Sequence, residues 1–201
     1  MAARGALTPV ERRAVEASPF AEIYPPTEKI KTIAVENFPA LGKLAAMRFV
    51  EWVQDHPGGV VSLPTGKTPE HFIRWVQRLS AHWDEPEIRR ELEQAGIDPG
   101  RQPDLFSLHF VQIDEFYPIG SAQENSFYSY VNRFYIEGFG LSRERALLID
   151  CDEIGLSGDQ TLASVWPEGE VDLSLRHRAA HGHLEQLQQD VLQRIDPRNC
   201  R

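Results

Sequence analysis

The sequence contains little cysteine and no long apolar run, and each of these absences narrows the class of protein. Of its 201 residues, 2 are cysteines, Cys151 and Cys200. Because two distant cysteines cannot build a disulfide framework, we expect a protein of a reducing compartment, with the cytoplasm as the default. No stretch approaches the roughly 20 apolar residues of a membrane-spanning helix, and residues 1–7 lack the apolar core of a secretory signal, so we expect no membrane partner.

Basic residues are scarce relative to acidic ones. The chain has 21 Lys and Arg against 30 Asp and Glu, a formal charge of −9 at pH 7. Proteins that bind along a nucleic-acid backbone need clustered Lys and Arg, so this balance predicts no nucleic-acid partner. It leaves room for one local basic spot that holds a small anion. The hydrophobic share of 41% is typical of a globular domain.

Strand-like and helix-like segments alternate along the chain. Apolar runs predict strands at 30–35, 60–63, 105–113 and 146–149, and apolar periodicity predicts helices at 37–55, 70–79, 84–95, 126–135 and 173–195. This alternation predicts an α/β fold with a mostly parallel sheet. Residues 1–26 are interpreted as an N-terminal extension with a short helix from Pro9, and residues 27–201 as the domain proper.

The loop after the second predicted strand has the composition of a phosphate-binding turn. It runs Pro64-Thr65-Gly66-Lys67-Thr68-Pro69. Gly66 permits a tight turn that exposes amides, and Thr68 is predicted to cap a helix whose first residue is Pro69. The N-terminus of that helix carries partial positive charge, to which Lys67 adds a full charge. Open α/β sheets bind ligands at this end of their strands.

Two other interpretations of the same loop stay open on spacing alone. A nucleotide-binding Walker A motif requires a glycine five residues before Gly66, where this chain has Val61, which disfavours that motif. The second interpretation is a capped helix start whose lysine is simply solvated.

Two adjacent carboxylates, Asp114 and Glu115, follow the third predicted strand. Neighbouring residues of a strand point to opposite sides, so we expect one carboxylate to face a ligand and the other to support the loop. A carboxylate that is partly buried beside a sugar has its pKa raised toward neutrality, which suits proton abstraction. The alternative is an acidic strand end without a chemical role.

Three motifs in this order resemble the glucosamine-6-phosphate deaminase/isomerase family. They are Leu63-Pro64-Thr65-Gly66-Lys67-Thr68-Pro69, Gln112-Ile113-Asp114-Glu115-Phe116 and Asn125-Ser126-Phe127-Tyr128-Ser129-Tyr130-Val131-Asn132. The resemblance covers residues 30–150 and implies a Rossmann-like three-layer α/β/α sandwich, incomplete at its C-terminus. It also implies conversion of glucosamine 6-phosphate to fructose 6-phosphate and ammonia, without a metal or redox cofactor.

The resemblance also assigns roles to individual residues. Asp114 is the implied general base, which moves a proton between C2 and C1 of the sugar, with Glu115 beside it in the catalytic pair. Thr65, Gly66, Lys67 and Thr68 are the implied phosphate ligands. The aromatic residues of 127–135 are interpreted as packing of the core and of their own helix.

The chain departs from the family's pattern at several positions. Lys67 stands where the family has a small Gly or Ser, and Gln112-Ile113 replaces Asn-Met. The family's downstream Asp-Gly-His loop is not found, because His181-Gly182-His183 has different flanking residues. We therefore expect a truncated domain that is weak or inactive by itself.

The expected partner is a small-molecule sugar phosphate, with a homo-oligomer left open. His177 and His181 stand four residues apart on a predicted helix but lack a third ligand, so we expect no metal site. Two other functions stay open. One is a 6-phosphogluconolactonase-like hydrolase, a class that carries Asp-Glu-Arg where this chain has Asp-Glu-Phe116, and the other is a non-catalytic sugar-phosphate-binding protein.

Overall fold

A small parallel sheet lies at the centre of the structure, a computed structural model that describes residues 7–19, 32–153, 160, 161 and 164. Its strands are β1 (Val60–Val61), β2 (His109–Val111) and β3 (Ala146–Leu147), in that spatial order. Val61 pairs with Phe110, and Phe110 pairs in turn with Ala146, both in parallel register. Helices occupy the connections between the strands, so the predicted α/β fold with a parallel sheet is confirmed.

The described helices follow the sequence periodicity closely. They are α1 (Pro9–Ala17), α2 (Phe38–Asp55), α3 (Glu70–Ala81), α4 (Pro86–Ala95) and α5 (Phe127–Val131), which continues as a π-helical turn over Asn132–Glu137. Asn37 caps α2 by accepting a hydrogen bond from the amide of Ala40 at 2.9 Å. Within the described ranges, no helix has both the length and the apolar character needed to cross a membrane.

The strands are shorter than predicted, and β1 and β3 cover only part of the segments 60–63 and 146–149. Residues 32–35 form no strand, and the Ala34 carbonyl accepts a hydrogen bond from Ser18 Oγ at 2.9 Å. Of residues 105–113, only His109–Val111 pair in the sheet, because Leu105–Ser107 form a 3₁₀ turn capped by Asp104. The helix predicted at 173–195, and the histidines within it, lie outside the described residues.

Helix α1, the described part of the N-terminal extension, packs against α2. Thr8 and Glu11 close a capping box at its start, and the helix predicted from Pro9 is confirmed. Val10 is 2% exposed, and its amide donates to Glu51 Oε1 at 3.1 Å. Arg48 of α2 forms ion pairs with both Glu11 and Glu51. The extension is therefore joined to α2 by a buried side chain and by a polar network.

Helices α2 and α3 approach each other closely. A side-chain carbon placed on Gly42 would lie 2.4 Å from Cβ of His71, so only glycine fits at this crossing. Phe49 and Phe72 pack edge to face beside it, with ring centroids 5.6 Å apart, and both contact Phe139. This packing fixes the start of α3, and with it the end of the loop that follows β1.

Candidate functional site

The segments after β1 and β2 leave the sheet at the same edge. Val61 and Phe110 are partners in the parallel ladder, and Ser62 Oγ donates to the Val111 carbonyl at 2.6 Å just beyond it. The loop of residues 64–69 and the pair Asp114 and Glu115 therefore start side by side. This is the carboxyl edge of the sheet, where α/β proteins bind ligands.

The loop of residues 64–69 leads into α3 differently from the sequence prediction. Thr68 was predicted to cap the helix with Pro69 as its first residue, and this prediction is wrong. Pro69 is itself the capping residue, without a side-chain hydrogen bond, and the helix begins at Glu70. The amide of Glu70 donates to the Lys67 carbonyl at 3.3 Å, so a backbone turn closes the helix entry instead of the Thr68 hydroxyl.

Gly66 has the conformation that the sequence predicted for a tight turn. Its φ is +91°, in the left-handed region that favours glycine, and a side-chain carbon added there would meet no atom within 4 Å. The requirement for glycine is therefore one of backbone conformation and not of space.

The amides of the loop have no acceptor among the described residues. None of the N–H groups of residues 65–68 donates a hydrogen bond within this part of the protein, and residues 66–68 are exposed. Four consecutive N–H groups therefore have no acceptor within the part of the chain that the structure describes. Backbone amides of this kind, at the N-terminal end of a helix, bind anions.

Two tyrosine hydroxyls bind the carbonyls of the same loop. Tyr130 Oη donates to the Gly66 carbonyl at 2.8 Å, and Tyr135 Oη donates to the Pro64 carbonyl at 2.5 Å. Burial raises the pKa of both hydroxyls, and the Glu70 carboxylate raises that of Tyr130 further. Both groups are therefore protonated donors across the neutral pH range.

Glu115 is bound to the start of α5. Its Oε1 accepts hydrogen bonds from the amides of Phe116 and Phe127 at 2.9 and 3.0 Å. Its Oε2 accepts from Ser126 Oγ at 2.9 Å and from the Tyr128 amide at 2.6 Å. A carboxylate at a helix N-terminus is stabilised by the unpaired amides there. The structure thus gives Glu115 the supporting task that the sequence expected of one member of the pair.

Asp114 has a different environment. Its side chain is exposed and accepts no hydrogen bond from the described residues. Its backbone carbonyl accepts from Gln112 Nε2 at 2.8 Å, while Gln112 Oε1 accepts from the Ile149 amide at 3.0 Å. A buried carboxamide therefore fixes the backbone of Asp114, whose carboxylate is exposed at the sheet edge.

The similarity of the chain to known proteins agrees with these motifs. No family model matches the chain. Over 154 residues it is 25% identical to the glucosamine-6-phosphate deaminase of Alkaliphilus oremlandii (strain OhILAs), an alignment that covers 74% of this chain and 55% of that protein. The chain is therefore similar in sequence to a glucosamine-6-phosphate deaminase. The resemblance predicted from the three motifs is confirmed, and the chain spans about half the length of the curated relative that it matches.

A solved structure gives a weaker comparison with the same family. A monomeric glucosamine-6-phosphate deaminase, described as a missing link of the NagB superfamily, has a TM-score of 0.45 to this chain. The sequences are 19% identical, and the superposition covers 65% of this chain and 44% of that one.

A cavity of about 370 Å³ opens on the tyrosine side of the loop. Its lining residues come from the loop, α3 and the α5 segment: Gly66, Lys67, Glu70, Ile73, Arg74, Gln77, Tyr130 and Phe134. Arg74 is paired with Glu70 at 2.5 Å, so charges of both signs line this space. Within the described residues, no group of three or more His, Cys, Asp or Glu side chains is placed to hold a metal ion.

Cys151 contacts Phe116, the residue that follows the Asp114–Glu115 pair. The thiol is buried and donates to the Phe116 carbonyl at 3.4 Å. Burial, followed by the nearby Glu115 carboxylate, raises the pKa of the thiol to about 12. Cys151 is therefore a protonated packing residue and not a nucleophile at neutral pH.

Sequence reasoning missed the hydrogen bonds of Tyr130 and Tyr135, since it interpreted both residues as packing. One signal was available in the residue type: a buried tyrosine requires a hydrogen-bond partner, whereas phenylalanine packs without one. The partners themselves lie 64 and 71 residues away along the chain. They could not be identified before the fold was known.

Proposed function

We propose that the chain binds the phosphate of an amino-sugar 6-phosphate on residues 65–68 and uses Asp114 as the base of a glucosamine-6-phosphate deaminase-type isomerisation. The observation that carries this proposal is that the loop amides and the Asp114 carboxylate lie at one sheet edge and have no hydrogen-bond partner among the described residues. The similarity to a curated deaminase supports the choice of substrate class.

The proposed reaction needs an anchor and a base. A phosphate held by the loop orients the open-chain sugar, so that its C1 and C2 atoms are held close to the base. Asp114 takes the proton from C2, the electrons of that bond form the C1=C2 double bond of the enolamine, and the aldehyde oxygen on C1 takes a proton from the substrate's ammonium group. Asp114 then returns its proton to C1. The resulting imine at C2 takes up water and releases ammonia, which leaves fructose 6-phosphate. A positioned carboxylate contributes about 10²–10⁴-fold to such a step.

Glu115 has a positioning role in this proposal. Both of its oxygens accept hydrogen bonds from α5 or its flanking residues, so neither is free to exchange a proton with substrate. Lys67 is proposed to add a screened positive charge to the amide site, because it belongs to the same exposed loop.

The test measures binding and turnover with the same preparation. Calorimetry compares glucosamine 6-phosphate, glucosamine and 6-phosphogluconate, and a coupled assay follows fructose 6-phosphate and ammonia. We expect binding that requires the phosphate, and any turnover to fall about 10²–10⁴-fold in Asp114→Asn without loss of binding. Asp84→Asn, at an exposed site outside the sheet edge, is the control. Equal binding of glucosamine with and without its phosphate contradicts the proposal, and preference for 6-phosphogluconate favours the lactonase alternative.

A further inference from the structure

The two tyrosine hydroxyls that bind the loop belong to one helical segment. Tyr130 lies in α5 and Tyr135 in the π-helical turn that continues it, with ring centroids 6.0 Å apart. Their acceptors are alternate carbonyls of the loop, those of Pro64 and Gly66. Both carbonyls are therefore directed toward the same side, the side of α5.

The direction of these carbonyls determines the direction of two amides. In a trans peptide the C=O of one residue and the N–H of the next point to opposite sides of the chain. Among the described residues the one cis bond is Tyr117-Pro118, so the loop peptides are trans. With the carbonyls of Pro64 and Gly66 turned toward α5, the N–H groups of Thr65 and Lys67 are turned away from it.

We infer that Tyr130 and Tyr135 are positioning residues for a phosphate: by binding two carbonyls, they present the amides of Thr65 and Lys67 together on the opposite face of the loop. Neither amide has an acceptor among the described residues. Without the hydroxyls, either peptide could rotate and place a carbonyl oxygen against the anion. The inference rests on the phosphate half of the proposed function and not on its proton transfer.

The two hydroxyls are suited to this task at neutral pH. Burial raises the pKa of each, so each remains a donor and cannot become a competing anion. Their helix is in turn held at its N-terminus by Glu115. A chain of direct hydrogen bonds therefore connects the acidic motif, the aromatic helix and the phosphate loop.

The test removes one hydroxyl and keeps its ring. Tyr130→Phe is compared with Tyr128→Phe, the same change on the same helix. The Tyr128 hydroxyl accepts from Arg143 Nη2 at 2.9 Å and does not contact the loop. Tyr130 is half-buried, so its variant is expected to fold, whereas Tyr135 is fully buried and Tyr135→Phe serves only as a second variant.

The probe is inorganic phosphate, and its binding is measured through the ¹⁵N–¹H signals of Thr65 and Lys67 in the full chain. We expect the chemical shifts of these two amides to change when phosphate binds. Tyr130→Phe is expected to raise the dissociation constant for phosphate about 5–10-fold, because one hydrogen bond is lost. Tyr128→Phe is expected to bind like wild type. The affinity ratio of glucosamine 6-phosphate to glucosamine is expected to fall in Tyr130→Phe alone, an effect that a general loss of stability does not produce.

Each outcome separates the inference from the proposed function. Equal phosphate binding by Tyr130→Phe and wild type overturns the inference alone. Phosphate binding that depends on Tyr130, without turnover of glucosamine 6-phosphate, supports the inference and counts against the proposed reaction. A wild-type chain whose Thr65 and Lys67 signals do not respond to phosphate overturns both.

Discussion

Ser126 is fully buried, and its hydroxyl lies 2.9 Å from Glu115 Oε2. The same hydroxyl accepts a hydrogen bond from the Ser129 amide at 3.3 Å, so it serves both as a helix cap and as a donor to the carboxylate. The segment after β2 and the start of α5 therefore share one polar contact. Loss of that contact should destabilise both α5 and the loop of residues 64–69 that α5 binds.

The first prediction concerns Glu115→Gln. The amide replaces an ionised acceptor by a neutral group with one acceptor oxygen, so two of the four donors lose their acceptor, one of them an amide of α5. We expect the free energy of unfolding to fall by about 2 kcal/mol, the contribution of hydrogen bonds to a charged group. Urea unfolding measures the loss, and Glu124→Gln, on the exposed loop before α5, is the control. Equal stability of the two variants would show that Glu115 does not hold the helix.

The second prediction separates backbone strain from ligand binding at two glycines. Gly66 and Gly140 have φ values of +91° and +70°, and neither has an atom within 4 Å of an added side-chain carbon. Alanine at either position is expected to cost about 1–2 kcal/mol through the left-handed conformation. Thermal unfolding should report similar losses for Gly66→Ala and Gly140→Ala. Phosphate binding should weaken only in Gly66→Ala, and a parallel loss in Gly140→Ala would place the effect in global stability.

The third prediction concerns the attachment of α1. Glu51 is largely buried, accepts the Val10 amide and pairs with Arg48. Its replacement by alanine leaves the buried Val10 amide without an acceptor and removes one of the two carboxylates that pair with Arg48, so we expect a loss of about 2–3 kcal/mol in unfolding free energy. Glu16→Ala removes an exposed ion pair with Arg13 and should cost less than about 0.5 kcal/mol. If the two variants unfold at the same urea concentration, the α1 contact does not contribute to stability.

The fourth prediction concerns alkaline pH. The folded protein holds the thiol proton of Cys151 with a pKa of about 12, whereas an unfolded cysteine releases it near about 8.5. The unfolded chain therefore binds fewer protons between these values, and stability falls as the pH rises through them. Below about pH 8 this contribution is fully present. Cys151→Ala should show a shallower decline of unfolding free energy from pH 8 to 10.5 than wild type, and identical slopes would exclude the thiol as its source.

Much of the architecture was predictable because it follows from local pattern. The apolar periodicity of α2 and the alternation of strands and helices determine the parallel arrangement, and both are properties of neighbouring residues. The different environments of Asp114 and Glu115 were expected from strand alternation. The hydrogen-bond partners that fix Glu115, at residues 126–128, come from tertiary contact and could not be assigned beforehand.

The errors have equally specific causes. Thr68 is a strong capping residue by type, yet the turn from Lys67 to Glu70 closes the helix entry through the backbone. Residues 32–35 are rich in β-branched side chains, which favours a strand. A strand also needs a neighbouring strand to pair with, and the Ala34 carbonyl instead accepts a hydrogen bond from Ser18. Propensity describes the preference of a segment, and packing decides whether a partner is present.

Gln112 continues the hydrogen bonding between the strand segments beyond the ends of β2 and β3. Its amide N–H donates to the Leu147 carbonyl at 2.9 Å in the ordinary way, and its side-chain oxygen then takes the next N–H, that of Ile149. The side-chain nitrogen meanwhile binds the Asp114 carbonyl. A carboxylate would lack this donor and a lysine the acceptor, so the position requires a carboxamide. By the resemblance of the motifs, glutamine stands where the deaminase family has asparagine, so a carboxamide is kept at the position whose two ends bind Ile149 and Asp114.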